Sequence, residues 1–453
     1  MLRENKWFIL AIVSCALFLI AVDMTVLYTA LPTLTHDLKA TAAEKLWIIN
    51  AYTLVVAGLL PGFGTLGDRV GHKRMMIGML LFGAASLGAA LAPSAQRLIL
   101  ARIILGLGAA MMMPATLSII RLTFDDLSER TLALGIWSAI ASGGAALGPV
   151  IGGLMLEYFR WGAVFLINVP IVPAALICAG LILPKNAPNA DQKWSLGGSL
   201  LITVGLVGLT YAIKELSKAE PSLTSVAATL AIGAAALTGF IQTQRRSRNP
   251  LIDFSLFQDR TFTNGVLVAL LCSVAMVGTE LAISQRLQLV VGLTPLKAGL
   301  AILPIPLAAF LGGPLAGLAL PRLGLVLLAR ESGGLIPGAG MAASIEEVSY
   351  ELGGVMGVTI FGSILTAAYS ASLVLPQEFA SLGQVYDSLD AAILASERLT
   401  PEAAGTLVEL ARKSFGKGFI AVLSLAGLMM TAMLALIGLQ KGENHSLTYN
   451  SMK

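Results

Sequence analysis

Apolar residues fall along this chain in long blocks separated by short polar stretches. Runs of roughly 20 mostly apolar residues lie near 7–30, 46–67, 75–93, 98–120, 133–156, 162–184, 195–213, 223–242, 264–289, 297–320, 350–371 and 418–439. A helix needs about 20 such residues to cross a bilayer, so the pattern predicts an all-α polytopic membrane protein with twelve recognisable spans. Two polar breaks, PKNAPNADQK (184–193) and QRRSRNPLIDFSLFQDR (244–260), set off a pair of helices in the middle of the chain. The first run follows Arg3 and Lys6 as a signal peptide would. It contains Asp23 and is followed by no small-residue cleavage site, so it reads as an uncleaved first helix.

Composition sharpens this picture. Of the 453 residues, 56% are hydrophobic and 12% charged, against about 25% charged in soluble domains. Mean hydropathy is +0.82. The excess apolar surface must face lipid, which excludes soluble enzymes and nucleic-acid binders. Cys15, Cys178 and Cys272 lie inside apolar runs, and His36, His72 and His445 lie in polar segments. Neither a disulfide framework nor a metal spacing results. The chain carries no GxxxxGK[ST] and no HExxH. The expectation is a non-enzyme with no cofactor and no metal.

Loop charge predicts orientation. With the N-terminus inside, the inner segments up to residue 263 hold 13 Lys and Arg and the outer segments hold 6. That excess predicts cytoplasmic N- and C-termini. Residues 372–417 become a polar outer loop with short amphipathic helices. PGFGTLGDRVG (61–71) and PLAGLALPRLG (314–324) both carry Gly and Leu, a basic residue and Gly at the inner end of a second span. Two copies suggest duplicated halves with a binding site between them; the alternative is chance similarity in a Gly/Leu-rich chain.

Polar residues within the spans carry the candidate chemistry. An intramembrane acid is costly, so Asp23 in AVDMTVLYTALPTL (21–34) is a functional candidate. It could exchange a proton, attract a cation or pair with Arg102. Arg102, in LILARIILGLGAAMMMPA (98–115), needs an acidic or carbonyl partner inside the bundle unless it snorkels to the surface. Glu280 in MVGTELAISQ either faces the cavity and holds a cation or snorkels at the outer edge. In SIEEVSYELGGVMGVTIFG (344–362), Glu347 and Glu351 are four apart and share a helix face with Glu346 nearby. Glu346 and Glu347 also suit a cytoplasmic helix end, which leaves Glu351 as the better intramembrane candidate. Gly353 and Gly357 form a GxxxG packing face. Tyr28, Trp47, Tyr52 and Trp137 could stack on flat organic cations or simply pack. Sixteen methionines suit an adaptable pocket or plain packing.

GTLGDRVGHKR (64–74) joins the second and third spans, with glycines for a tight turn and Asp68, Arg69, Lys73 and Arg74 as loop charges. In SGGAALGPVIGGLM (142–155), Gly144, Gly148 and Gly152 fall on one stripe beside Pro149, a predicted kink.

Together these segments resemble the major facilitator superfamily, in its fourteen-span drug:proton antiporter group, near the SmvA-type and QacA-type exporters. The resemblance covers nearly the whole chain. The 64–74 segment resembles the signature loop, which implies a latch between the two halves with Gly64, Asp68, Arg69, Gly71, Lys73 and Arg74 as gating residues. The stripe at 142–155 resembles the antiporter motif of span five, and WGAVFLINVP (161–170) the family's entry to span six. Asp23, Arg102 and Glu351 are implied proton-coupling residues; Asp23, Glu280, Glu347 and Tyr52 are implied substrate contacts.

The resemblance implies two pseudo-symmetric bundles. Residues 1–184 form the first six-helix bundle, 185–250 a linker with two extra helices, 251–440 the second bundle and 441–453 a cytoplasmic tail. One departure stands out. Between Arg322 and Ile345 lies only LGLVLLARESGGLIPGAGMAAS (323–344) where two helices and a loop are expected. The second bundle is therefore predicted to lack two helices near 325–344. The implied function is proton-coupled export of lipophilic organic cations such as quaternary ammonium compounds, biguanides, dyes and viologens. A nutrient or lipid transporter and a transport-deficient form are the alternatives. Expected partners are these cations, protons and lipid, with no nucleic acid. The expected state is a monomer in a bacterial inner membrane.

Overall fold

A computed structural model describes residues 6–184, 195–216, 221–247, 250–252, 254–308, 310, 339–379 and 382–451. Among these the protein is all helix, with no strand. Among the described residues, ten helices are long and apolar enough to cross a membrane.

The first half comprises α1 (Lys6–Asp37), α2 (Ala42–Val70), α3 (His72–Met75), α4 (Gly78–Ala90), α5 (Ala95–Thr123), α6 (Leu127–Tyr158), α7 (Ala163–Leu166) and α8 (Asn168–Ile182). The predicted third span, 75–93, is divided by a turn at Met76 and Ile77, which leaves α4 only 13 residues long. The α6 helix runs on through Pro149. Next comes the pair α9 (Leu196–Leu216) and α10 (Leu223–Arg246), where the sequence places two extra helices.

The second half holds α11 (Arg260–Gln285), which ends in a π turn over Arg286–Val290, and α12 (Pro295–Ile302), whose apolar helix carries on to Ala308. It continues with α13 (Ala339–Ser372), the short α14 (Leu389–Ser396) and α15 (Pro401–Ser451). The copy of the repeat at 314–324 and most of the predicted gap at 325–344 lie outside the described residues. At the C-terminal end, residues 401–417 of the expected outer loop form the first turns of α15, and residues 441–451 of the expected tail continue the same helix. Pro401 opens that helix, where its missing N–H costs nothing, and no proline follows before Ser451 to break it.

Small residues set how the helices pack. Along α6, a Cβ added at Gly144 would lie 2.9 Å from Ala21 Cβ, and one at Gly152 would lie 3.0 Å from Val26 O. The stripe read from the sequence therefore seats α1, the helix that carries Asp23. The second half repeats the device. A Cβ on Gly353 would lie 2.5 Å from Leu270 O, and one on Gly357 2.6 Å from Val274 O, so α13 lies against α11 as α6 lies against α1.

Among the described residues the broadest crossings between the halves are α2 with α13 and α6 with α12, and α1 also meets α11, α12 and α14. At the second, a Cβ on Gly153 would lie 2.5 Å from Leu296 Cα, and one on Gly299 would lie 2.3 Å from Pro149 O. The α9–α10 pair leans through α9 on α2 and α13, beside the first crossing.

Candidate functional site

The interior of the first half holds a charged pair. Asp23 of α1 and Arg102 of α5 are each about 1% exposed, and Arg102 Nη1 donates to Asp23 Oδ2. Arg102 therefore does not snorkel. Its Nε donates to Ile48 O at 3.2 Å, and its guanidinium lies 4.3 Å from the centroid of the Tyr52 ring. A guanidinium carries only donors, so a carboxylate, a helix carbonyl and an aromatic face form a matched set of partners.

A further amide completes this cluster. Asn168, the first residue of α8, donates through Nδ2 to Asp23 Oδ1 at 3.4 Å and to Ser86 Oγ of α4 at 3.1 Å. Neither residue was singled out in the sequence. The signal was present for Asn168, the lone amide within the apolar run 162–184.

The second half contributes two acids. Glu280 on α11 and Glu351 on α13 are both buried, so neither sits as an edge residue reaching for water. Among the described residues, Glu280 Oε1 and the neighbouring Thr279 hydroxyl have no hydrogen-bond partner. Tyr28 of α1 feels the charges of Glu280, Glu351 and Arg102, and Tyr52 of α2 feels Asp23, Arg102 and Glu351. The two tyrosines thus lie within electrostatic reach of the pair in one half and of the acids in the other. The tertiary structure brings Asp23, Arg102, Tyr52, Glu280 and Glu351 into one interior region. Glu346 and Glu347 lie in the first turns of α13, and their side chains are outside the described set.

The signature loop stands apart from this region. Gly71 has φ +101°, a backbone conformation that favours glycine, and it turns the chain from α2 into α3. Asp68 pairs with His72 at 3.1 Å, and Lys73 Nζ donates to Leu183 O at 2.7 Å. Both contacts stay within the first half. Arg69 and Arg74 are exposed, and Gly64 lies 3.8 Å from the nearest atom a Cβ would meet.

At the opposite end the two halves are bound together. Thr41 and Glu44 form a capping box at the start of α2, which places Lys45 in its first turn. Lys45 is buried and bonds both Asp390 of α14 and Gln285 Oε1 of α11, the latter at 2.9 Å. Ser284 Oγ donates to Tyr28 O at 2.7 Å and Gln288 Nε2 to Thr29 O at 3.0 Å. His36 Nε2 and Glu397 Oε1 are 2.7 Å apart. Lys214 of α9 donates to Ala43 O and lies over the Trp47 ring. Lys45 and Lys214 were counted among the outer basic residues; here they serve structural contacts. The tight Gly153–Leu296 crossing also lies at this end.

The Major Facilitator Superfamily profile matches residues 13–387. The chain belongs to the major facilitator superfamily. It is accordingly a multi-pass membrane transporter of small molecules and not an enzyme. It is 37% identical to the methyl viologen resistance protein SmvA of Salmonella typhimurium, over 94% of this chain and 96% of that protein. It is 33% identical to the multidrug efflux pump LfrA of Mycolicibacterium smegmatis, over 96% of both. In fold it resembles a bacterial homologue of the lysosomal transporter Spinster in its inward-facing, unoccupied conformation. The TM-score is 0.55, at 17% identity, over 96% of this chain and 98% of that one. It also resembles the transporter PepTSo2, with TM-score 0.54 at 14% identity, over 96% of this chain and 99% of that one.

The pairwise match also bears on chain length. The match to the Salmonella protein runs over 476 aligned positions, whereas 94% of 453 residues is about 426. About 50 aligned positions therefore have no counterpart in this chain, which is the size of two membrane helices and a loop.

Proposed function

We propose that this superfamily member exports lipophilic organic cations in exchange for protons by alternating access. One observation carries the reading: buried acids from both halves gather in one interior region, one paired with Arg102 and another, Glu280, with a carboxylate oxygen unpartnered among the described residues. Carboxylates buried among apolar walls are costly, which makes them functional candidates. The relatives named for methyl viologen resistance and multidrug efflux support a cationic, chemically varied cargo. Asp23 and Glu351 exchange protons, Arg102 tunes Asp23, and Glu280, Asp23 and Glu347 hold substrate charge. Tyr52, with Arg102 over its ring, contributes to the substrate site when that pair separates.

The contacts around Lys45 close the outer end. The signature loop, with Gly64, Asp68, Arg69, Gly71, Lys73 and Arg74, gates the cytoplasmic end, where both termini lie. Residues 1–184 and 251–440 act as the two rocking bundles of a monomer, with 185–250 as the insert between them, in a bacterial inner membrane. Each proton moving through 100 mV supplies about 2.3 kcal/mol, so a divalent cation requires more than one.

The test uses energised everted vesicles with a pH dye inside. Adding a quaternary ammonium compound or a biguanide releases protons from wild-type vesicles; Asp23→Asn abolishes the response, and Glu280→Gln weakens it for cations. A silent wild-type protein sinks the pump reading. A response that needs Na⁺ in place of H⁺ sinks proton coupling alone. The missing positions favour a second reading, a transport-deficient form, which the silent outcome would establish over the first.

A further inference from the structure

We infer that Asn168 is a positioning residue that lets Asp23 hold and release a proton without leaving the carboxyl unsatisfied in either state. The inference rests on the proposed role of Asp23 as a proton-exchanging group. Its basis is the geometry around one carboxyl. Asp23 Oδ2 is taken by Arg102, and Oδ1 faces Asn168 Nδ2, which also donates to Ser86 Oγ. Asn168 is 1% exposed, and among the described residues its Oδ1 has no hydrogen-bond partner. A buried acceptor left bare is uncommon and calls for a physical reason.

The amide supplies that reason, because it carries donors on one side and an acceptor on the other. A charged Asp23 needs donors at Oδ1, and Nδ2 is placed to give one. A protonated Asp23 carries an O–H that needs an acceptor. Arg102 cannot provide it, having donors only. A half-turn of the Asn168 amide exchanges Nδ2 and Oδ1. Oδ1 then accepts from the Asp23 hydroxyl, and the Ser86 hydroxyl turns to donate to the same oxygen. One bare buried atom is exchanged for another, so the amide itself has no more unpartnered atoms in one state than in the other. The step is a proton transfer alone: an O–H bond of hydronium breaks, an O–H bond forms on Asp23 Oδ1, water is left behind and the carboxylate charge is lost. Arg102 keeps its bond to Ile48 O and its place over Tyr52.

The ionisable groups that act on Asp23 among the described residues are Arg102 of α5 and Tyr52 of α2. Glu280 of α11 and Glu351 of α13 act on Tyr28 of α1, and Glu351 also on Tyr52. The helices that bring Asn168 and Ser86, α8 and α4, place amide and hydroxyl groups there and no second charge.

The test compares wild type, Asn168→Leu, Ser86→Ala, Asp23→Asn and Asp23→Asn/Asn168→Leu in everted vesicles. Tetraphenylphosphonium is the probe, and proton release is followed across a pH series. Asn168→Leu is nearly the same size and makes no hydrogen bond. It is expected to displace the pH profile and to slow release about tenfold at the wild-type optimum, the worth of one hydrogen bond to a charged group. Ser86→Ala displaces the profile less; it also serves as the deciding variant if Asn168→Leu does not fold. In the Asp23→Asn background, Asn168→Leu changes tetraphenylphosphonium binding no further, because the two residues act through one carboxyl. A wild-type pH profile in both Asn168→Leu and Ser86→Ala overturns the inference. So does an equal loss of probe binding on adding Asn168→Leu with or without Asp23, which marks a structural role only. If Asp23→Asn itself releases protons as wild type does, the reading of Asp23 fails first and this inference with it.

Discussion

Replacing Lys45 by methionine should loosen the end of the molecule at which the halves are bound. Lys45 bonds Asp390 on α14 and Gln285 at the end of α11, so its ammonium joins the first half to the second. The side chains of the ion pair are 8% and 14% exposed. Removing one member of a buried pair strands the other charge, at a cost of about 3–5 kcal/mol when burial is complete. Asp390 retains some contact with solvent, so about 2 kcal/mol is a fair figure here. Under the alternating access proposed above, the contact exists only while the halves are closed at this end, and the whole cost then falls on that state. A change of about 2 kcal/mol shifts the closed-to-open ratio about 30-fold. The assay is labelling of a Thr359→Cys probe by a membrane-impermeant maleimide in cells, in a background without Cys15, Cys178 and Cys272. Thr359 is buried and accepts from Asn50 Nδ2 across the α2–α13 crossing at 2.9 Å, so labelling requires opening. Lys45→Met should label about 30-fold faster than its parent, and Lys45→Met/Asp390→Leu should recover most of the difference because no charge is stranded. Labelling of the single variant at the parental rate refutes the reasoning.

Further outcomes follow from the same contacts. Gly153→Ala places a Cβ against the Leu296 backbone and should lower thermal stability in detergent by about 1–3 kcal/mol. Gly64→Ala meets nothing closer than 3.8 Å and should be neutral or slightly stabilising by the same measurement. Gly148→Ala forces Thr25 Oγ1, only 2.0 Å from the new Cβ, to rotate away and give up its bond to Ala21 O. The cost is about 1 kcal/mol, read as a drop in melting temperature. Arg102→Ala strands Asp23 at 1% exposure and should cost about 3–5 kcal/mol. Arg102→Lys should fail to restore proton exchange, since an ammonium cannot reproduce the planar fork that bonds Asp23 and Ile48 O while lying over Tyr52.

What the chain determines by itself is the membrane, the helices and the identity of the rare intramembrane charges. Spans are legible because every one must bury about 20 apolar residues, and Asp23, Arg102, Glu280 and Glu351 stand out because a charge at that depth is costly. The glycines of α6 and α13 were readable too, since spacing by four puts them on one helical face. Their partners were not, because nothing local says which helix meets that face; the tertiary structure assigns α1 and α11. Whether Arg102 snorkels or pairs was likewise undecided by a run of apolar neighbours, and it is settled by a carboxylate 79 residues away. Lys45 looked like a topology signal until a partner 345 residues distant bonded it. Asn168, at the start of α8, takes its meaning only from Asp23 and Ser86, which sit on two other helices. Hydropathy is a property of consecutive residues, so the sequence carries it. Polar contacts between helices depend on which faces meet, and that is decided only when the bundle packs.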